Sequence, residues 1–135
     1  MELYPGVLDW LNYARQHSIP CAVASSAPPE NITAIMQQFA LDKYFSVLVS
    51  ASNLPSKPDP AVFLTAATRL EVEPADCLVI EDAPAGAQAA LSAGMACLVV
   101  LTTRRRSEFP TVQFYLDRLS DGSPPQVIKK ISQAD

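Results

Sequence analysis

The sequence predicts an α/β fold with a parallel sheet between layers of helices. Two observations carry that prediction: short apolar runs alternate with helix-like stretches along the chain, and each run gives way to small or charged polar residues at its carboxyl end. Hydrophobic residues make up 49% of the chain and charged residues 18%, which is a globular rather than a disordered composition. At 135 residues the length prior gives one domain, 1–135.

In chain order, Pro5 to His17 carries Val7, Leu8, Leu11 and Ala14 at helical spacing, with Pro5 and Gly6 suited to the entry turn. Trp10 and Tyr13 read as helix packing and outer surface. His17, the only histidine, falls at the helix end, where a charged ring would suit the dipole. Cys21-Ala-Val-Ala24 is the first strand, followed by the polar loop Ser25-Ser26-Ala27 and a helix that starts at Pro28-Pro29-Glu30. Ile32, Ile35, Met36 and Phe39 form the apolar stripe of that helix.

Phe45 to Val49 reads as the second strand, with Tyr44 and Phe45 as core at its start. A loop with three prolines, Ala51 to Pro60, leads to a third helix with Val62, Phe63, Ala66, Ala67 and Leu70 turned inward. Cys77-Leu-Val-Ile80 is an uninterrupted apolar run, the signature of a strand covered on both faces. A small-residue helix opens at Ala83-Pro84-Ala85-Gly86 and ends at Gly94. Ala96 to Leu101 is the fourth strand. After Pro110, Val112 to Leu116 reads as a short edge strand and Pro124 to Ile131 as a terminal helix.

The net charge of −4 disfavours a nucleic-acid partner, and the run Arg104-Arg105-Arg106 reads as a solvated turn that could also meet an anionic substrate. No apolar stretch reaches membrane-spanning length, and the amino terminus lacks the features of a signal peptide. Cys21, Cys77 and Cys97 form no metal-binding pattern and are read as buried free thiols of a reducing compartment, so the expected location is the cytoplasm.

Three polar sets follow three strands, and in a parallel sheet those ends share one rim. Ser25 and Ser26 offer hydroxyls and backbone N–H groups at a strand-to-helix turn, able to hold a phosphate oxygen; the same pair is also an ordinary helix entry. Lys57, flanked by prolines in Pro55-Ser-Lys-Pro-Asp-Pro60, is a confined ammonium that could neutralise a phosphoryl group. Glu81 and Asp82 are adjacent carboxylates, which repel unless a cation such as Mg2+ joins them; a solvated acidic turn is the alternative.

Taken together and in this order, Val23-Ala-Ser-Ser26, Ser56-Lys-Pro-Asp-Pro60 and Val79-Ile-Glu-Asp-Ala-Pro-Ala-Gly86 resemble the second, third and fourth motifs of the haloacid dehalogenase-like hydrolases, in the beta-phosphoglucomutase and phosphoglycolate phosphatase branch. The resemblance implies a three-layer Rossmann-like core and a Mg2+-dependent phosphatase or phosphomutase acting on a small phosphorylated metabolite. In that reading Ser25 and Lys57 are catalytic and phosphate-binding, Ser26 touches phosphate or substrate, and Glu81 and Asp82 hold Mg2+.

The family's first motif, Asp-x-Asp, has no counterpart: no two aspartates of this sequence lie two residues apart. Leu3-Tyr-Pro-Gly-Val7 resembles the point where relatives re-enter the core after a helical cap. The implied sheet therefore lacks its central first strand, and 1–135 is a partial core domain expected to be inactive alone. Three states would follow: the strands ending at Ser25 and Glu81 pair directly, a partner chain fills the gap, or the chain is a fragment that does not persist. A non-catalytic paralogue that binds metal or phosphate is the competing function. A phospho-receiver also uses an acidic pair and a Lys-Pro, but in the opposite order to Lys57 and Glu81.

Overall fold

The computed structural model describes residues 3–132. Helix α1 (Val7–Gln16) precedes β1 (Ala22–Ser25), α2 (Pro29–Gln38), β2 (Val47–Ser50), α3 (Ala61–Leu70), β3 (Leu78–Glu81), α4 (Pro84–Ser92), β4 (Ala96–Val100), β5 (Phe114–Leu116) and α5 (Pro124–Ser132). Every strand pairing is parallel, as the alternation of strands and helices requires. The strands form two sheets, β1-β2 and β3-β4-β5, so the strands ending at Ser25 and Glu81 do not pair with each other. Direct pairing is thereby removed from the three states the sequence left open.

Three layers result. On one face, α3 contributes Val62, Phe63, Ala66 and Ala67 and α4 contributes Ala87, Ala89 and Ala90 to a core that also holds Val49, Val79, Cys97 and Val99 from the strands. The intervening residues of β4, Leu98 and Val100, turn to the other face and pack with Trp10 and Val127. A third cluster, Ile32, Met36 and Leu41, covers Val23 of β1. Gly6 opens α1 at φ +95°, and a Cβ there would press on the backbone of Ser120, so the helix can approach that turn only with glycine.

Several expectations are corrected. Leu8 is exposed, because Trp10 takes the inward place and donates its indole N–H to the Leu119 and Gly122 carbonyls at 3.3 and 3.2 Å. Ile35 lies at the solvent edge of α2. Of the three free thiols only Cys97 is fully buried; Cys21 and Cys77 lie at strand starts and are half-buried. His17 does sit at the end of α1, as expected, with its ring stacked on Tyr13 at a centroid distance of 3.9 Å. Among the described residues no helix is long and apolar enough to cross a membrane.

Two measurements check this core. Leu98, wholly buried, is expected to cost about 3 kcal/mol when cut to alanine, whereas Ile80→Ser, at a side chain 43% exposed, should change stability by no more than about 0.5 kcal/mol; urea unfolding of both variants reads the difference. Burial, with the Glu81 charge adding to it, pushes the Cys97 thiol from 9.0 up to about 12. The contribution of that protonated thiol to stability is full below pH 9.0 and is lost as pH rises through about 12. The alkaline fall of stability should accordingly be shallower in Cys97→Ala than in the parent chain, and superimposable curves would contradict the assignment.

Candidate phosphate-binding and metal-binding rim

β1, β2 and β3 run on into the segments that precede α2, α3 and α4, and polar residues of those segments form the rim. Ser25 is the last residue of β1 and pairs with Ser50, the last of β2. Its hydroxyl accepts a hydrogen bond from the Ala27 N–H at 3.1 Å, which folds the Ser25-Ser26 loop back before α2 begins. The Ala27 carbonyl in turn accepts from the Ser50 hydroxyl at 2.6 Å. Ser25 is half-buried and Ser26 exposed. Ser50 was not singled out from sequence, although it is the first polar residue after the second apolar run, the same position Ser25 holds in β1.

Lys57 enters from the loop before α3, where the Asp59 carboxylate accepts from the Ala61 N–H at 2.9 Å and fixes the helix start. The Lys57 ammonium lies 3.0 Å from Glu81 Oε2 and 3.5 Å from the Ala24 carbonyl, with the Phe63 ring centroid 4.8 Å away. The side chain is only 20% exposed and that of Glu81 11%. One lysine therefore joins the end of β1 to the end of β3. An ammonium has three donors; two are engaged, and the third has no partner among the described residues.

Glu81 closes β3. Its Oε1 accepts from the Asp82 N–H at 3.2 Å while Oε2 takes Lys57. The carboxyl group lies over Gly86, in the first turn of α4, and a Cβ at that position would overlap it. Gly86 is thus a requirement of the Glu81 geometry, and the signal for it was the small-residue helix start itself. Asp82 is exposed, and its carboxylate has no partner among the described residues.

The structure brings Lys57 and Glu81 into direct contact, reaches β1 through Ala24, and leaves Ser26 and Asp82 at the outer edge. Such a rim offers hydroxyls and a fixed cation to an anionic oxygen, and carboxylates to a metal. Mg2+ commonly uses one or two carboxylates and completes its shell with water or phosphate oxygens. Each Glu81 oxygen carries one hydrogen bond and retains a lone pair, and Asp82 is free, so the donor set fits that habit; no group of three or more His, Cys, Asp or Glu side chains gathers among the described residues. The arginine run lies elsewhere, with Arg104 3.7 Å from Glu108 and Arg106 stacked 4.0 Å over Tyr115, beside a cleft that neither Lys57 nor Glu81 lines.

The chain resembles known proteins over most of its length. Residues 1–94 match the family described as "Hydrolase: haloacid dehalogenase-like hydrolase". The chain is 42% identical over 95 residues to the beta-phosphoglucomutase of Bacillus subtilis, covering 70% of this chain and 41% of that protein. It is 31% identical over 97 residues to phosphoglycolate phosphatase 1 of Pseudomonas aeruginosa, covering 71% and 36%. The crystal structure of CbbY from Rhodobacter sphaeroides in complex with phosphate superposes with a TM-score of 0.85 at 27% identity, over 93% of this chain and 59% of that one. The chain thus spans less than two thirds of the length of each of these relatives. With the match running from the first residue through the Glu81-Asp82 turn and α4, the chain belongs to the haloacid dehalogenase-like hydrolase family, in the branch that holds beta-phosphoglucomutase and phosphoglycolate phosphatase.

Proposed function

We propose that residues 1–135 form a single partial core domain that binds the phosphoryl group of a small phosphorylated metabolite, together with Mg2+, for phosphoryl transfer in the cytoplasm. The observation that carries this reading is the Lys57 ammonium fixed between the end of β1 and Glu81. Ser25 and Ser26 donate to phosphoryl oxygens at the turn before α2. Lys57 neutralises charge on the same group, and electrostatic stabilisation of this kind is the main contribution a protein makes to phosphoryl transfer. Glu81 and Asp82 hold Mg2+, which when bound offsets charge on the phosphate oxygens.

Phosphoryl transfer through a covalent intermediate needs a carboxylate that attacks phosphorus while the ester oxygen leaves, and then water or a hydroxyl that takes the phosphoryl group. Within the 135 residues no Asp-x-Asp pair supplies that carboxylate. The chain on its own is therefore a binding unit, and the names of its relatives, a mutase and a phosphatase, bound the reaction class it serves.

Calorimetry of the isolated chain with inorganic phosphate and Mg2+ should show binding, with p-nitrophenyl phosphate hydrolysis at background. Lys57→Ala should weaken phosphate binding about tenfold or more, the loss of one charge-assisted hydrogen bond. Robust Mg2+-dependent hydrolysis that vanishes in Lys57→Ala or Asp82→Asn would refute the reading and require another nucleophile. A separate variant tests the geometry: Gly86→Ala displaces the Glu81 carboxyl group, so Mg2+ affinity should fall several-fold while the far-ultraviolet circular dichroism spectrum stays unchanged.

A further inference from the structure

We propose that the cleft at the carboxyl ends of β4 and β5 is a second anion site, separate from the Lys57 rim, whose ligand is a diphosphate group held by Arg105 and Arg106. Leu101 follows β4 directly, and its N–H reaches the carbonyl of Leu116, the last residue of β5, at 2.8 Å, so the two segments leave the sheet side by side. Against them opens a cleft of about 630 Å³ lined by Arg104, Arg105, Arg106 and Tyr115, a volume within the range of small-molecule sites. None of Ser25, Lys57 or Glu81 lines it. The inference goes beyond the phosphoryl-transfer reading and stands without it.

Charge pairing decides which arginines are available. Arg104 has Glu108 four residues on at 3.7 Å, and Arg118 has Asp121 at 3.2 Å, which is how a solvated arginine is ordinarily satisfied. Arg105 and Arg106 have no carboxylate partner among the described residues, although Asp117 lines the same cleft. Arg106 is held in place by other means. Its guanidinium lies 4.0 Å over the Tyr115 ring, and the Tyr115 hydroxyl fixes that ring by donating to the Pro110 carbonyl at 2.9 Å and accepting from the Val112 N–H at 3.1 Å. A guanidinium placed over an aromatic face keeps the N–H fork at its edge for two oxygens of one phosphate. Like charges on one cleft repel, so an anion that touches both arginines relieves that repulsion while it pairs each of them. One phosphate satisfies one fork; two linked phosphates satisfy two. Leu101 and Leu116, both half-buried, supply the apolar part of the wall. The Asp117 carboxylate opposes any anion there, which gives the test a substitution that should strengthen binding.

The test titrates the full chain with inorganic pyrophosphate in metal-free buffer, by calorimetry and by nuclear magnetic resonance. Binding should saturate with a Kd of about 10–100 μM, and the amides of Arg105, Arg106 and Leu116 should shift while those of Ser26 and Asp82 do not. ADP separates the two sources of the group: tighter binding than pyrophosphate assigns the cleft to a nucleotide, weaker binding to free diphosphate, and adenosine should not bind. Arg105→Ala and Arg106→Ala should each weaken pyrophosphate binding about tenfold, the loss of one charge-assisted fork. Lys57→Ala should leave it unchanged, and Asp117→Asn should tighten it several-fold. If Arg106→Ala releases Tyr115 and does not fold, Arg105→Ala, at an exposed side chain, decides. No saturation up to about 1 mM, unchanged affinity in Arg105→Ala, shifts confined to Ser26 and Asp82, weaker binding in Asp117→Asn, or adenosine binding as tightly as ADP would overturn the proposal.

Discussion

A single ammonium holds the rim together across a break in the sheet. Lys57 and Glu81 are both largely withdrawn from water, and their 3.0 Å contact offsets the desolvation that each would otherwise suffer. The face of Phe63 adds a further favourable contact to the cation, and the Ala24 carbonyl orients it. Removal of either partner would leave a poorly hydrated charge, so the pair specifies position more than it adds stability. Because β1 and β3 share no ladder hydrogen bonds, the distance between their carboxyl ends is set by this side chain and by the helices packed beneath.

Those helices explain how two sheets form one layer. On the α3 and α4 side the core is continuous from Val49 of β2 to Val99 of β4, and it passes under the gap through Ala22, Ala24 and Val79. Small residues make this possible: Ala66 and Ala67 of α3 and Ala87, Ala89 and Ala90 of α4 let the two helices approach the strands and each other closely. The opposite face has no such continuity. Its apolar residues divide into one cluster around Leu98 and Val127 and another around Ile32 and Met36, with α1 astride them through Trp10 and Leu11. One face acts as a spine while the other is hinged on a single helix.

This asymmetry also decides what was legible in the sequence. Apolar runs marked all four longer strands, which fell within one or two residues of the positions read from Cys21, Phe45, Cys77 and Ala96, but the expectation that Cys77 to Ile80 is covered on both faces is corrected, since Ile80 of β3, like Leu48 of β2, is exposed. The inward residues of α3 were readable as well, because that helix packs on the continuous core. Periodicity was less informative for α1, where Leu8 looked inward by spacing but Trp10 won the place through its area and its two carbonyl partners. Of the rim, Ser25, Lys57 and Glu81 were visible as residue types at strand ends. The Lys57–Glu81 contact was not, since it depends on a loop conformation that no local pattern encodes, and neither was the Ser50 hydroxyl that holds the Ala27 carbonyl.

Register ties these features to the open edge. Ser25 stands level with Ser50 at the end of their shared sheet, whereas Glu81 stands level with Val99, one residue before β4 ends. A slip of one residue in either sheet would turn its inward apolar residues, Ala24 or Val79 among them, to the other face and break the core they share. Register within each half-sheet is therefore held by the core that the two halves share on the α3 and α4 side. That shared core allows the rim to keep its geometry although the strands behind it do not meet, and Lys57 supplies the only polar link between β1 and β3 found among the described residues.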